Sequence, residues 1–351
     1  MKFNLISKQG NIKNILSFKN SFVLSDLNDV VYFNKEILCK NVDGSSLYKI
    51  QHNLFQIFDN ESGCYYFDSS IVKSDFFLKK GFHNSIYLAE SVPLRISRGH
   101  YKKDILKLNS DFQTSADVIL KGTEYNLITY SDDILIVGNH QVVLSYNVST
   151  SALNWQFDLS SIANNPHNDI YNKAAAWEVK KFIGVLEDKL WIALNHHTII
   201  ALDVKTGQLM HRIDRIANFK CDWLPSAIPL PEATAVDEKN KKLVGFMWEF
   251  YWEIDPRNGA ITLLDLTNEL VPQKIRNDRV DFVLTDSHIY FASNSDIKVG
   301  ALNRNTKQVD WFHAFEDNGI GYQSRIKKID GNDDKLGVLT NEKVLYIFEK
   351  E

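Results

Sequence analysis

Ala201-Leu202-Asp203-Val204-Lys205-Thr206-Gly207-Gln208-Leu209-Met210-His211 is the stretch from which the fold is read. It reads as strand, tight turn, strand. Asp203 is placed to cap the turn through its side chain, and Thr206-Gly207 supplies a residue that tolerates positive φ. The stretch recurs without a gap as Ser145-Tyr146-Asn147-Val148-Ser149-Thr150-Ser151-Ala152-Leu153-Asn154-Trp155. It recurs again as Ala301-Leu302-Asn303-Arg304-Asn305-Thr306-Lys307-Gln308-Val309-Asp310-Trp311, and more weakly over 253–263, with Asp255 and Asn258-Gly259 in the turn. Trp155 and Trp311 fill the eleventh position, where a ring would stack on the neighbouring repeat.

Outward from these units the chain is a succession of hairpins. Ile134–Gly138 precedes Val142–Leu144, Leu190–Leu194 precedes Thr198–Ile200, Leu243–Met247 precedes Tyr251–Glu253, and Ile289–Ala292 precedes Lys298–Gly300. A further strand leads each: Leu127–Tyr130, Phe182–Val185, Ala233–Val236 and Phe282–Leu284. The unit is therefore a meander of four strands. The first half repeats the plan in the hairpins Phe22–Leu24/Val30–Phe33, Leu54–Phe58/Tyr65–Phe67 and Ser85–Leu88/Ile105–Leu108, and the last hairpin is Leu336–Leu339/Val344–Phe348. The third strands end near Asn34, Asp68, Asn109, Asn147, Asp203, Asp255, Asn303 and Phe348, a mean spacing of about 45 residues, as in propeller blades. The last unit lacks a fourth strand, and Phe3–Ser7 is a strand without a unit.

The expected fold is thus all-β: one closed β-propeller over residues 1–351, of about eight four-stranded blades (seven is the alternative), its ring closed by the N-terminal strand. One short helix is expected over Asn168–Val179, around Ala174-Ala175-Ala176.

Composition agrees. The 351 residues are 44% hydrophobic and 24% charged, ordinary for a globular chain, and the 12% of aromatic residues, 21 Phe and 14 Tyr among them, favours strands. A net charge of −4 argues against a globally basic nucleic-acid binder, and the pairs Lys102-Lys103 and Lys327-Lys328 read as solvated faces. No apolar run reaches the roughly 18 residues of a membrane helix, and the run at Phe3–Ile6 is too short for a secretion signal, so a cytoplasmic location and no membrane partner are expected. Cys39, Cys64 and Cys221 are odd in number and far apart, which fits free, mostly buried thiols and no metal ribbon.

The pattern Ala-x-Asp-x-x-Thr-Gly-x-x-x-Trp, approximated by 201–211, 145–155 and 301–311, resembles the tryptophan-docking repeat of quinoprotein dehydrogenase-like propellers. The resemblance covers residues 125–315 directly. It implies a device that packs one blade on the next, and it implies no activity. Its enzymes carry a vicinal cysteine pair, calcium ligands and a Trp under pyrroloquinoline quinone. This sequence has no adjacent Cys-Cys, and His211 and Leu263 stand where Trp would. The resemblance therefore points to the non-enzymatic branch, with no cofactor and no metal.

Three long connections, 160–177, 213–233 and 315–325, run from the last strand of one unit to the first strand of the next. They are expected on one face, opposite the short turns at Lys205-Thr206-Gly207 and Arg257-Asn258-Gly259. Ordering such loops costs entropy, which points to function there. The leading expectation is a non-catalytic scaffold that binds a protein or peptide partner through Tyr171, Trp223, Tyr322 and Arg325, the residue types that anchor interfaces. The alternative is an enzyme or small-ligand binder, for a cofactor or sugar, using His167, Asp169, Asp222 and Asn318 at the channel mouth. His196-His197 reads as a polar hairpin turn. The aromatic run 246–252 reads as packing on both faces of its sheet.

Overall fold

The computed structural model describes residues 2–18, 21–33, 36–40, 42, 48–49, 54–58, 64–68, 76–78, 85–88, 101–108, 116–125, 127–131, 134–139, 141–147, 149–163, 176–217, 219–221, 224, 226–315 and 326–351. In chain order the strands begin with β1 (Phe3–Gln9), β2 (Ile12–Phe18), β3 (Ser21–Asp26), β4 (Val30–Phe33), β5 (Glu36–Lys40), β6 (Tyr48–Lys49), β7 (Leu54–Phe58), β8 (Cys64–Asp68) and β9 (Phe76–Leu78). Next come β10 (Ser85–Leu88), β11 (Tyr101–Leu108), β12 (Ala116–Tyr125), β13 (Leu127–Ser131), β14 (Ile134–Asn139), β15 (Val142–Asn147) and β16 (Leu153–Asp158). They continue with β17 (Val179–Leu186), β18 (Lys189–Leu194), β19 (Thr198–Asp203), β20 (Leu209–Ile213), β21 (Thr234–Asp237), β22 (Lys242–Met247), β23 (Phe250–Ile254) and β24 (Ile261–Asp265). After one helical turn, α1 (Thr267–Leu270), come β25 (Val283–Leu284), β26 (His288–Ser293), β27 (Lys298–Asn303), β28 (Val309–Ala314), β29 (Ile326–Gly331), β30 (Lys335–Thr340) and β31 (Leu345–Lys350). No helix among the described residues is long and apolar enough to cross a membrane.

The strands group as the repeat predicts. β2–β5, β6–β9, β13–β16, β17–β20, β21–β24 and β25–β28 are each a four-stranded sheet in sequence order, and β29, β30 and β31 take β1 as their fourth strand. The chain divides into two compact units. One comprises Met1–His83, Met247–Glu249 and Asp265–Glu351; the other comprises Asn84–Phe246 and Phe250–Leu264.

In the second unit the middle strands are buried along their length: Leu190, Trp191, Ile192, Ala193 and Leu194 of β18 are inaccessible to solvent. That is why they read as unbroken apolar runs. A strand covered on both faces has no polar side to alternate with. β16 is a last strand and does alternate, with Trp155 and Phe157 inward and Asn154, Gln156 and Asp158 outward. One core joins β13–β16 to β17–β20 through Ile136, Val143, Trp155, Ile192 and Leu202. In the first unit Phe3, Tyr290, Val299, Ile329 and Phe348 join β25–β28 to the sheet of β29. Ile12, Ile15, Phe22, Leu339 and Leu345 join that sheet to β2–β5. Burial of each such large side chain contributes about 1.5–3 kcal/mol.

The repeated turn is the same object each time. Asp203 Oδ1 accepts from the amides of Lys205 (3.0 Å) and Thr206 (2.7 Å). Asn147 Oδ1 accepts from Thr150 N (2.8 Å), Asp255 Oδ1 from Arg257 N (2.9 Å) and Asn303 Oδ1 from Thr306 N (3.1 Å). The left-handed position is held by Ser151, Gly207, Gly259 and Lys307. At Asp255 the Arg257 side chain, more than any other group, holds the carboxyl down at about 2.

His211, in the docking position of its copy, lies so close to Gly259 that a Cβ there would fall 2.9 Å from Nδ1. Its ring stacks on Trp191 with centroids 5.6 Å apart, and its Nε2 is buried without a hydrogen-bond partner. Burial first, then the charge of Lys189, hold the imidazole below the ordinary histidine value of 6.5. A depressed folded pKa means that stability is fully present above the unfolded value and is lost as pH falls through the folded one. The melting temperature should therefore decline from about pH 7 to about pH 5, with part of the slope removed in His211→Phe. An unaltered slope in that variant would refute the linkage.

Several expectations are corrected. Ser85–Leu88 and Ile105–Leu108 do not form a hairpin: β10 pairs with β11 in parallel, and β11 then pairs with β12 antiparallel. A parallel pair needs a crossover, and twelve residues, 89–100, separate the two strands. The helix over Asn168–Val179 is absent from its described part. Residues 176–178 are irregular and Val179 opens β17; residues 168–175 lie outside the described residues. The long connections described include a fourth, 266–282, which buries Leu270, Ile275 and Asn277. Phe246, Phe250, Tyr251 and Trp252 are all buried, as expected for packing on both faces. Cys39 and Cys221 are free thiols and half-buried, and burial pushes Cys39 up to about 12. Asn34 and Asn109 lie outside the described residues.

Candidate functional site

Within each unit the long connections start and finish on the turns between the second and third strands. In the second unit Leu159 N donates to Gln141 O (2.9 Å) and Asn195 N to Glu178 O (3.1 Å). In the first, Leu266 N donates to Glu249 O (2.8 Å) and Phe315 N to Ile297 O (3.0 Å), and the short link from β1 to β2 is held in the same way, with Ile12 N donating to Lys343 O (2.9 Å). His196 and His197 lie in one of these turns, the three-residue loop 195–197, with left-handed φ of 55° and 58°. His197 Nδ1 lies 2.8 Å from Ile228 O, so the turn grips the connection 213–233. Each unit therefore carries its connections at the end of these middle turns, and its stereotyped Asp/Asn turns at the other.

Tyr171, Trp223, Tyr322, Arg325, His167, Asp169, Asp222 and Asn318 lie outside the described residues. The described part of 213–233 contributes to the core. Ile216, Phe219, Leu224, Ala227 and Ile228 are buried, and Phe219 meets Phe250 edge-on at 5.4 Å. Length in that connection thus partly serves packing.

A second repeat appears at the starts of first strands. Val179-Lys180-Lys181-Phe182, Ile326-Lys327-Lys328-Ile329 and Ile12-Lys13-Asn14-Ile15 each span a register shift in their sheet. In a regular strand, residues three apart face opposite sides. The extra residue of a bulge brings both apolar partners to one side, and each pair does share one core. The polar pair between them is turned outward. Lys181 Nζ then donates to Glu232 O (2.7 Å) and Thr234 O (2.8 Å), tying its sheet to the next. Arg279 does the same in the first unit, to Ile326 O (2.6 Å) and Lys327 O (3.1 Å).

At the junction of β29 with β2 the cations accumulate. Lys327 Nζ donates to Lys13 O (2.6 Å), Lys328 Nζ to Ile15 O (2.5 Å) and Asn14 Oδ1 (3.1 Å), and Lys13 pairs with Asp29 at 2.9 Å. Burial first, and then the charges of Lys343, Lys328 and Lys13, hold the Lys327 ammonium below the usual lysine range. The pair Lys327-Lys328, read from sequence as a solvated face, is part of a cluster. Its missed signal is the apolar-Lys-Lys/Asn-apolar pattern in three copies.

Solved structures put this architecture in context. BamB from Moraxella catarrhalis matches with a TM-score of 0.52 and 10% identity, over 99% of this chain and 100% of that one. Sqt1 from Saccharomyces cerevisiae matches with a TM-score of 0.56 and 9% identity, over 99% and 98%. The likeness is to β-propellers. It is a likeness of fold. The WD40 β-propeller domain of Doa1 also matches, at a TM-score of 0.47 and 10% identity over 99% and 95%. No family model and no curated protein sequence matches the chain.

One other constellation has the residue types of a hydrolase. Ser287 Oγ lies 2.7 Å from His288 Nδ1, and His288 Nε2 lies 2.8 Å from Asp310 Oδ2. Asp310 Oδ2 also accepts from Asn303 Nδ2 at 2.9 Å. Burial works against that carboxylate, yet the bonds from His288 and Asn303 keep it below the usual aspartate range. Both imidazole nitrogens are engaged, and the aspartate binds side chains from β26 and β27 while standing on β28. Its geometry is that of a clamp across three strands of one propeller sheet.

Proposed function

We propose that this protein is a non-catalytic β-propeller that binds a protein or peptide partner through the end bearing its long connections. The observation that carries the reading is the asymmetry within each unit: stereotyped Asp/Asn turns at one end, long connections clasped by the middle turns at the other. The fold shared with BamB and Sqt1 is compatible with this and does not by itself select it. In the same reading, residues 1–351 form a single ring of about eight blades, closed where β1 joins β31, with docking contacts of the quinoprotein-like kind. Tyr171, Trp223, Tyr322 and Arg325 are the proposed anchors.

Trp223→Ala tests it. Partner recovered by pull-down from the native cell should fall by about 2 kcal/mol in affinity or more, roughly thirtyfold, with little change in melting temperature. A large melting loss with undiminished partner recovery would assign Trp223 to the core and remove the reading's main anchor.

A further inference from the structure

We propose that Lys13, Lys327, Lys328 and Lys343 form a recessed cationic site that takes the carboxylates of an acidic peptide segment. This rests on the partner-binding reading above and gives that partner its chemistry at the contact. The four residues come from the start of β2, the start of β29 and the β30–β31 turn, and all lie in one compact unit. They are brought together by the backbone: Ile12 N donates to Lys343 O, which seats the turn on β2, and Lys327 Nζ reaches Lys13 O.

Tethering of neighbouring sheets accounts for only part of the cluster. At the junction of β17 with β21, Lys181 makes the tie alone, and its neighbour Lys180 is paired with Glu178. At the β29 junction two lysines share the tie that Lys181 makes by itself, Lys328 on Ile15 O and Lys327 on Lys13 O, and Lys13 and Lys343 stand near them. The sequence carries Arg325 where the other copy carries Glu178, so the local charge is reversed. Among the described residues neither Lys327 nor Lys343 has a carboxylate within ion-pair distance. Lys327, Lys328 and Lys343 are each half-buried, as is Lys13, whose charge is already met by Asp29, so the site is reachable by an anion while partly shielded from water. Like charges held together in a part-buried recess cost free energy that an incoming carboxylate recovers. The surplus is local, since the chain as a whole carries −4. A nucleic acid is attracted by a track of cations that displaces many counterions. A compact knot of four suits a few carboxylates.

The test uses the full chain and a fluorescently labelled hexaglutamate peptide, with hexaglutamine as its neutral counterpart, followed by anisotropy at low and high salt. Hexaglutamate should bind, hexaglutamine should not, and affinity should fall as salt rises. The double variant Lys327→Gln/Lys343→Gln should lose about tenfold or more in affinity with its melting temperature kept, while Lys205→Gln, on a stereotyped turn, should bind as the parent does. Hexaglutamate binding that is absent, or equal in the double variant and the parent, overturns the site. So does tighter binding of a single-stranded oligonucleotide than of hexaglutamate. Any of these results leaves the Trp223 experiment to decide the broader reading independently.

Discussion

Removal of residues 1–8 is expected to lower the melting temperature by about 10 °C or more and to make the protein aggregate. β1 pairs with β31 from Phe3↔Lys350 to Gln9↔Leu345, with a register shift between Leu5 and Ser7. Each ladder bond is worth about 0.5–1.5 kcal/mol net. Phe3 adds an apolar contribution: it is 7% exposed, and its ring lies 4.8 Å from Trp311 and 5.6 Å from Tyr290. The ends of this strand pair are fastened as well, since Lys2 Nζ and Asn4 Nδ2 both reach Glu351 Oε1. Without β1, β31 becomes an unpaired edge and the rings of Trp311 and Phe348 are uncovered. Phe3→Ala isolates the packing share, about 3 kcal/mol, and should not create the edge. Calorimetry and light scattering on the two variants separate the effects. A truncated protein that melts and stays soluble as the parent does would show that β1 is not needed to complete its sheet.

What the sequence discloses depends on whether the determining contacts are local. The repeat turn is legible because its cause lies within six residues: an Asp or Asn side chain bonds amides two and three positions on, and a residue of positive φ follows. The strand order follows from the same periodicity. Direction does not, because alternation of apolar residues is identical for parallel and antiparallel partners, and so the β10–β11 pair departs from the expected hairpin. Of the helix expected at 168–179, only the last residue is seen in a strand, where sheet pairing takes Val179; residues 168–175 lie outside the described residues. The lysine cluster is hidden for a different reason. Lys13 and Lys327 are separated by most of the chain, and only the bulge geometry turns each of them outward at one junction.

The docking contact invites the sharpest energetic test. Trp155 is 8% exposed, and its Nε1 donates to Val204 O at 2.8 Å, so the ring is fixed over the turn of the next sheet by one directed bond and by packing. Gly207 beneath it has φ of +73°, and a Cβ there would lie 2.7 Å from Trp155 Cδ2. Two separate demands therefore fall on Gly207: left-handed backbone and room for the indole. Trp155→Ala should cost about 3–5 kcal/mol, the range for losing a buried large side chain. Gly207→Ala should cost about 1–2 kcal/mol from backbone conformation, plus about 1–3 kcal/mol from overpacking. These demands separate in a double-mutant cycle. Once the indole is gone the methyl group has space, so in the Trp155→Ala background Gly207→Ala should retain its backbone cost and lose its steric one. A coupling energy of about 1–3 kcal/mol is expected from denaturant unfolding of the four proteins. If the two changes simply add, the indole and the turn do not share a contact. The eleventh-position ring would then contribute to the core of its own sheet and not to the junction between neighbours.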